Sequence, residues 1–189
     1  TRFTHHRFIA CQARATAVLI SEPKMPELAL RSIPLADTRE LRRDVLRPYM
    51  TVDELAAHEP GGSVAFGAFE GDRLIAVGLV GPDGDPGDWR IRGMATKPEA
   101  RGRGAGSKVL QALVQHAVDH GATRLWCNAR TPALSLYERA GFRATSEEFE
   151  TPRIGPHYRM ELEQVGTATA SLPARAGDDQ SGTNPHLRR

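Results

Sequence analysis

Between residues 28 and 162 the apolar positions follow two different periods. A period of two, or a short continuous apolar run, predicts a β-strand, whereas apolar residues three and four positions apart predict an amphipathic helix. The predicted strands are 28–33, 64–69, 73–80, 89–96, 124–128, 142–145 and 158–162; the predicted helices are 39–47, a short one that starts at 51–54 and stops before Pro60, 106–120, and one through 134–140. This order predicts a single domain of the α/β (α+β) class, with a mixed sheet between helices on both of its faces.

Short motifs at the ends of these segments support the assignment. Thr51 and Glu54 have the spacing of a capping box, which satisfies backbone N–H groups at the start of a helix. Asp37 and Thr38 are the expected N-caps of the first helix. The acidic segment 146–157 is expected to be a loop that joins the last two strands.

The two ends of the chain lack this patterning. Residues 1–25 are rich in Arg and His, and Arg14 interrupts their apolar stretch, so we expect an N-terminal extension outside the fold. Such a segment fits a targeting sequence, a remnant of expression or sequence upstream of a start at Met25. The folded domain is expected over 26–164. Residues 165–189 are Gly-, Ser-, Thr-, Ala-, Pro- and Asp-rich without periodicity and are expected to form a disordered tail.

The charge of the chain is mildly basic, with a formal net charge of +2. Residues 25–164 contain 18 Lys and Arg against 20 Asp and Glu, so the positive surplus lies in the two ends. Nucleic-acid-binding domains carry a clustered basic footprint, so no nucleic-acid partner is expected. Cys11 and Cys127 are too few and too far apart for a disulfide framework or a metal site. No apolar run approaches the ~18 residues of a transmembrane helix, so we expect a cytoplasmic protein without membrane attachment.

Three glycines stand between a predicted strand and a predicted helix, in the segment Arg101-Gly102-Arg103-Gly104-Ala105-Gly106. Inside a helix, glycine costs about 0.8–1.0 kcal/mol relative to alanine, and arginine opposes the positive end of the helix dipole. Backbone N–H groups together with positive charge instead suit a phosphate group. The spacing fits neither the P-loop nor the dinucleotide-binding fingerprint, and a flexible basic turn is the alternative interpretation.

The segments 94–107 and 134–142 together resemble the GNAT superfamily of N-acetyltransferases. The first contains Met94-Ala95-Thr96 and then Arg101-x-x-Gly104-x-Gly106, which resembles the pyrophosphate-binding loop of that superfamily. The second, Leu134-Ser135-Leu136-Tyr137-Glu138-Arg139-Ala140-Gly141-Phe142, resembles its catalytic-tyrosine helix. The resemblance extends over about 28–162. It implies a mixed, mostly antiparallel sheet of six to seven strands that splays between the fourth and fifth strands.

The resemblance implies acetyl-CoA as the acyl-donor cosubstrate and assigns residues to it. Backbone N–H groups along 102–107 would hold the pyrophosphate, and Arg101 and Arg103 would add positive charge. Main-chain groups at 94–96 would pair with the pantetheine arm, and one N–H there would hold the oxygen of the tetrahedral intermediate. Asn128 would hydrogen-bond the pantetheine amide or, alternatively, cap the turn that follows it. The expected cofactor-binding residues are Met94, Ala95, Thr96, Arg101, Gly102, Arg103, Gly104, Ala105, Gly106, Ser107 and Asn128.

Two side chains are candidates for proton transfer. The resemblance implies that Tyr137 protonates the departing sulfur of coenzyme A; a tyrosine of the apolar core is the alternative. Many members of the superfamily take their general base from a glutamate on the fourth strand, but residues 90–93 contain none. His157 follows a segment that resembles the stretch before the last strand in some members, and histidine chemistry suits a base near neutral pH. Its alternative role is to anchor a loop.

The sequence therefore predicts an acetyl-CoA-dependent N-acetyltransferase that works by direct attack of an amine within a ternary complex. The acceptor is a small-molecule amine or a protein amine. Two acidic groups, at 83–88 and 147–150, either attract a cationic acceptor or are solvated loops. A non-catalytic acyl-CoA-binding sensor is an alternative that would not need Tyr137, and an RNA-binding protein is a weaker one. Pairing of an edge strand with a second copy, which would give a homodimer, stays open.

Overall fold

The computed structural model describes residues 27–162 and Val165, so the predicted extension 1–25 and the predicted tail beyond the buried Val165 lie outside the described residues. The strands are β1 (Leu28–Ile33), β2 (Val64–Glu70), β3 (Arg73–Pro82), β4 (Asp88–Thr96), β5 (Arg124–Arg130), β6 (Phe142–Ala144), β7 (Phe149–Thr151) and β8 (Gly155–Leu162). The helices are α1 (Leu35–Leu46), α2 (Val52–Ala57), α3 (Ala105–Asp119) and α4 (Leu134–Glu138), with short 3-10 turns at Pro98–Ala100 and Thr131–Ala133.

All eight described strands belong to one sheet. Its strand order is β1-β2-β3-β4-β5-β8-β6, and the short β7 pairs with β8 outside this path. Among the described pairs only β4 and β5 are parallel, and the others are antiparallel. The structure thus confirms the mixed, mostly antiparallel sheet of the α/β class. It adds β7 within the segment that the sequence predicts as a loop.

Helices cover both faces of the sheet. Successive residues of β3 point to opposite faces, so neighbouring residues of this strand contact different helices. On one side Val77 packs with Leu41 of α1 and with Ala95. On the other side a Cβ added to Gly78 would come within 2.7 Å of Leu113 in α3, so glycine lets this helix lie close to the strand. The helices in the described part of the chain are too short or too polar to span a lipid bilayer.

The starts of α1 and α2 test the capping predictions. α2 has the predicted capping box: the Glu54 N–H donates to Thr51 Oγ1 (3.2 Å), and the Thr51 N–H donates to Glu54 Oε2 (2.7 Å). The prediction for α1 is wrong by about one turn, since the helix begins at Leu35, directly after Pro34. Thr38 is buried in the first turn and donates its hydroxyl proton to the Leu35 carbonyl (2.7 Å), so it does not cap the helix.

β4 and β5 separate after three residue pairs, which leaves a wedge in the sheet. Their parallel pairing ends where Arg90 lies opposite Trp126. Beyond that point β4 continues beside β3, whereas β5 continues beside β8 as far as Arg130, opposite His157. The splay between the fourth and fifth strands, which the sequence resemblance implies, is therefore present.

A β-bulge in β4 lies at this wedge. Between Arg92, which pairs with Leu79, and Ala95, which pairs with Val77, β4 has one residue more than β3. Gly93 lies in the bulge with φ +60°, a left-handed backbone conformation that favours glycine. Bulges bend a strand and increase its twist, so this glycine helps to turn β4 away from β5.

The last strand starts earlier than the sequence predicts. β8 begins at Gly155 rather than at residue 158, and its first residues pair with β7. A proline has no N–H to donate to a strand ladder, so Gly155-Pro156 is typical of a turn and hides this part of the strand. As a consequence His157 belongs to a strand and not to a loop.

Candidate active site

The wedge between β4 and β5 opens into a cavity of about 820 Å³. Its walls come mainly from α1, from the loop and first turn of α3, and from α4, β4, β5 and β8. Ala95 and Arg103 are not part of the lining. The other predicted site residues line this one cavity, although they are far apart in the chain: Met94, Thr96, Arg101, Gly102, Gly104, Ala105, Gly106, Ser107, Asn128, Tyr137 and His157.

The N-terminus of α3 faces the cavity without a side-chain cap. Gly104 is its N-cap residue, with φ +82°, and no acidic residue lies in the first turn. A Cβ added to Gly102 or Gly104 would meet no atom within 4 Å, so the space in front of this loop is open. The first N–H groups of a helix have no intrahelical partner. Together with the helix dipole, they favour the binding of an anion.

Gly106 sets how closely α3 approaches β4. A Cβ there would lie 3.1 Å from Thr96 Oγ1, which is tighter than ordinary van der Waals contact. The three glycines therefore differ in what they allow. Gly102 and Gly104 take left-handed backbone conformations, whereas Gly106 permits a close contact between helix and strand.

The two arginines of the glycine-rich loop lie in different environments. Arg101 lines the cavity beside the start of α3. The Arg103 guanidinium instead binds the carboxylate of Glu70 at the end of β2, with an Nη1–Oε1 distance of 2.6 Å. The side-chain charge that this loop offers to the cavity is therefore that of Arg101.

The predicted pantetheine-binding residues differ in which atoms they present. Met94 and Thr96 line the cavity, whereas the Ala95 side chain is buried on the α1 side of the sheet and packs with Leu41. The Ala95 side chain therefore serves the packing of the core, and a ligand in the cavity could contact only the main chain of this residue. Asn128 lies exposed on the cavity wall, and the turn at Thr131–Ala133 has no side-chain cap, so the alternative capping role is absent.

Tyr137 lines the cavity from α4, although only 5% of its surface is exposed. Its ring packs edge to face against Phe142, with 5.7 Å between the centroids, and its hydroxyl interacts with the thiol of Cys127. Burial raises the pKa of Tyr137 well above its ordinary value of 10, and it raises the pKa of the Cys127 thiol to about 12. Both groups therefore stay protonated near neutral pH, and Tyr137 is present as an O–H donor.

His157 is buried in β8, and its ring has a defined orientation. Nδ1 lies 2.7 Å from the carbonyl oxygen of Gly155, and the ring stacks on Phe149 with 5.9 Å between centroids and 24° between planes. A carbonyl oxygen only accepts hydrogen bonds, so Nδ1 carries the proton and Nε2 of the neutral ring keeps its lone pair. The cavity therefore contains a hydrogen-bond donor, Tyr137, and a nitrogen base, His157.

The profile of the acetyltransferase (GNAT) family matches residues 28–142, more than half of the 189 residues of the chain. The chain belongs to the GNAT acetyltransferase family. A Bacillus subtilis (strain 168) protein, the uncharacterized N-acetyltransferase YitI, is 31% identical to this chain over 140 residues. That alignment covers 70% of this chain and 94% of YitI. The family assignment thus includes both the start of α3 and the tyrosine of α4.

Solved acetyltransferase structures share the fold of this GNAT domain. The ribosomal-protein-S18-alanine N-acetyltransferase of Escherichia coli matches with a TM-score of 0.60 and 16% identity, over 72% of this chain and 93% of its own. A Bacillus subtilis acetyltransferase in complex with CoA matches with a TM-score of 0.57 and 18% identity, over 72% of this chain and 99% of its own. At 16% and 18% identity, these matches show a shared fold.

Six arginines that were not predicted as site residues also line the cavity of this GNAT domain. Five of them are Arg42 in α1, Arg47 directly after it, Arg90 and Arg92 in β4, and Arg130 in β5; the sixth, Arg139, directly follows α4. Alternate positions along a strand share a face of the sheet. The polar residues at alternate positions of β4 and of β5 are the signal that could have indicated this wall.

The predicted acidic attractants do not line the cavity. Asp83 binds the guanidinium of Arg92 at 2.6 Å, and Glu148 accepts a hydrogen bond from the Thr131 hydroxyl at 3.0 Å. The acidic groups therefore lie outside the cavity wall, and the carboxylates of Asp83 and Glu148 are engaged within the protein.

Proposed function

We propose that this GNAT enzyme transfers the acetyl group of acetyl-CoA to a primary amine by direct attack within a ternary complex. The observation that supports the proposal most strongly is the uncapped start of α3, which opens into the same cavity as Tyr137 and His157. A diphosphate-bearing thioester needs an anion-binding site of this kind, and the transfer needs groups that donate and accept protons.

The residues of the cavity fit coenzyme A. The N–H groups at the start of α3 bind the pyrophosphate, in the open space before Gly102 and Gly104, and Arg101 adds positive charge. The main chain at 94–96 binds the pantetheine arm as a strand edge binds a peptide, because β4 is not paired with β5 there. Asn128 hydrogen-bonds the arm from the other side of the wedge. The bound thioester supplies an activated acetyl group with a sulfur leaving group.

The bulged part of β4 stabilises the developing negative charge. An N–H group within 94–96 donates to the carbonyl oxygen of the acetyl group as the amine attacks. In acyl-transfer enzymes the removal of one such donor costs about 2.7–4 kcal/mol of transition-state stabilisation. A main-chain donor of this kind is independent of side-chain identity, which agrees with the packing role of the Ala95 side chain.

Tyr137 donates its O–H to the departing sulfur. Burial keeps its phenol protonated because it raises the pKa of the group. A thiol has an ordinary pKa of about 8.5, so a thiolate leaves readily and the assistance required of Tyr137 is moderate. The neighbouring Cys127 does not serve as a nucleophile, since burial holds the pKa of its thiol at about 12. A protonated thiol supports direct attack by the amine over an acyl-enzyme intermediate.

His157 removes the proton of the acceptor amine through Nε2, directly or by way of a water molecule. The hydrogen bond from Nδ1 to the Gly155 carbonyl selects this tautomer. A lysine-like amine has a pKa of about 10.4, so roughly one molecule in a few thousand is neutral at pH 7. A base in the cavity increases the fraction of acceptor that can attack.

An assay of thiol release tests the proposed reaction. The protein is incubated with acetyl-CoA and a panel of primary amines, and both the free thiol and the acetylated amine are measured. We expect thiol release that depends on one class of amine and saturates with acetyl-CoA. Binding of coenzyme A without acetylation of any amine would identify the non-catalytic sensor instead. Absence of both binding and acetylation would contradict the proposal altogether.

His157→Gln is expected to lower kcat/KM for the acceptor by roughly tenfold near pH 7 and by less near pH 9. General bases typically accelerate a reaction by about 10²–10⁴-fold. We expect a smaller effect here because an acceptor ammonium can also lose its proton to water, and the neutral amine then attacks. The activity of the variant should rise with pH as more of the amine becomes neutral.

His58→Gln is the matched control for this variant. His58 Nδ1 also lies 2.7 Å from a backbone carbonyl oxygen, that of Glu54, but the residue is exposed and outside the cavity lining. Its replacement should leave kcat/KM unchanged at every pH. Identical pH profiles for the wild type and His157→Gln would show that another group is the base.

A further inference from the structure

One wall of the cavity, on the α1 side of the sheet, carries arginines, and no described carboxylate lines the cavity. α1 and the residue after it supply two of these arginines, and the two strands that diverge at the wedge supply the other three. We refer to this set as the arginine cluster: Arg42, Arg47, Arg90, Arg92 and Arg130. A purely cationic acceptor such as a polyamine would be repelled by such a wall.

Two carboxylates contact the arginine cluster without neutralising it. Glu59 binds Arg42 at 2.9 Å, but a further arginine of α1 shares the same carboxylate. Asp83 binds Arg92 at 2.6 Å and also lies 3.7 Å from Arg90. Each carboxylate therefore serves two guanidinium groups, and a surplus of positive charge remains on this wall.

Arg47 and Arg130 have no carboxylate within 4.0 Å in the part of the chain that the structure describes. Arg130 Nη2 donates to the Leu46 carbonyl at 2.6 Å, which holds this guanidinium on the cavity wall. Burial and, after it, the positive charge of Arg47 lower the pKa of Arg130. The two like charges therefore act on each other without a counter-charge between them, an arrangement that favours an anionic ligand.

The arginine cluster adjoins the proposed acetyl site. Arg42 Nε lies 2.8 Å from the position that a Cβ on Gly93 would occupy, so the side chain rests on the bulge of β4, next to 94–96. Arg90 stacks on Trp126 of β5, with 4.1 Å from the guanidinium carbon to the ring centroid. Positive charge is thus held on both strands that border the site of attack.

We propose that the acceptor amine also carries an anionic group, a carboxylate or a phosphate, which Arg130 and Arg47 bind. This proposal rests on the proposed acetyl transfer, since it names the class of acceptor for that site. Arginine binds carboxylate and phosphate alike through two parallel N–H···O bonds. The same positive wall lowers the pKa of the acceptor ammonium and so increases its neutral, reactive fraction. This effect offsets the absence of a glutamate base on β4.

Matched pairs of amines test the class of acceptor. An α-amino acid is compared with its amide, phosphoethanolamine is compared with ethanolamine, and spermidine is the purely cationic member. Equilibrium binding is measured by calorimetry in the presence of coenzyme A, and kcat/KM is measured with acetyl-CoA. We expect the anionic member of one pair to be favoured about tenfold or more in both measurements. The pair that shows the preference distinguishes a carboxylate from a phosphate.

Arg130→Gln should raise the KM and the Kd for the anionic acceptor by about ten- to a hundredfold, as expected for the loss of a charge-assisted hydrogen bond. Its kcat and its KM for acetyl-CoA should change little, and so should its KM for the uncharged partner amine. Arg47→Gln, at an exposed position, is a second variant that does not disturb buried contacts. Arg31→Gln, on the exposed edge strand outside the cavity, is the control and should match the wild type.

The outcomes separate this proposal from the proposed reaction. Equal use of the two members of each pair, or a preference for spermidine, would overturn the anionic acceptor while acetyl transfer stands. Binding of an anionic amine that is lost in Arg130→Gln, without acetylation, would support the anion site and contradict the reaction. If neither anionic amine binds to the complex with coenzyme A, the anion site is wrong.

Discussion

Replacement of Gly104 by glutamate is expected to abolish the binding of coenzyme A. The new carboxylate would stand at the N-terminus of α3, in the open space that we assign to the pyrophosphate. Two unit charges about 4 Å apart repel each other by ~4 kcal/mol at an effective dielectric constant of 20, which corresponds to ~10³-fold weaker binding. Thermal unfolding measures the effect. At about 100 times its Kd, coenzyme A should stabilise the wild type by ~2.7 kcal/mol, and the variant should gain nothing at that concentration.

Gly121→Glu is the matched control for this variant. Gly121 follows the opposite end of α3 and has φ +80°, close to the +82° of Gly104. A Cβ on either glycine meets no atom within 4 Å, so both variants carry the same left-handed strain of about 1–2 kcal/mol. The control should keep the full stabilisation by coenzyme A. A folded Gly104→Glu protein that is still stabilised would show that the nucleotide binds elsewhere.

Tyr137→Phe is expected to lower kcat for acetyl transfer by about 10², equivalent to ~2.7 kcal/mol of transition-state stabilisation. The ring and its packing against Phe142 are retained, so the loss reports on the hydroxyl alone. KM for acetyl-CoA should change little, because the start of α3 is intact. Since burial raises the pKa of Tyr137, its hydroxyl stays protonated through neutral and mildly alkaline pH. Ionisation of this group should therefore not reduce the wild-type kcat up to about pH 10.

Tyr158→Phe is the control for the loss of a tyrosine hydroxyl. Tyr158 lies in β8 outside the cavity lining, where its hydroxyl interacts with Glu148. Its replacement should leave kcat nearly unchanged. Full kcat in Tyr137→Phe would support the alternative interpretation, in which Tyr137 is a core residue and another group assists the departure of sulfur.

Local sequence signals predicted much of the fold and many of the residues that line the cavity at the start of α3. The capping box of Thr51 and Glu54 has the predicted hydrogen bonds, and the glycines of 102–106 do stand at the start of a helix. These features depend on groups a few residues apart, so their geometry is readable from spacing. The splay of β4 from β5 followed from the family resemblance rather than from any local pattern, and the structure confirms it.

The charge of the cavity could not be predicted in this way. Residues 25–164 carry a slight acidic excess, yet the cavity wall is basic because of where the chain places its charges. Asp83 lies on the loop after β3 and pairs with Arg92, outside the cavity lining. Arg42 and Arg130 come from distant segments that meet only across the folded sheet. The net charge of a chain does not tell how far its charged side chains lie from a site in the folded protein. Those distances decide the electrostatic potential at the site.

By itself, the sequence determined the family, the order of the helices and of the strands apart from β7, and the glycine-rich start of α3, since each depends on short-range spacing and backbone preference. The tertiary structure alone decided that Arg103 is paired with Glu70, that His157 lies in a strand with Nδ1 directed at the Gly155 carbonyl, and that five arginines share one wall. The physical reason is that ion pairs, tautomers and cavity charge arise from side chains brought together through space. Those distances are set when β4 bends at its bulge and parts from β5.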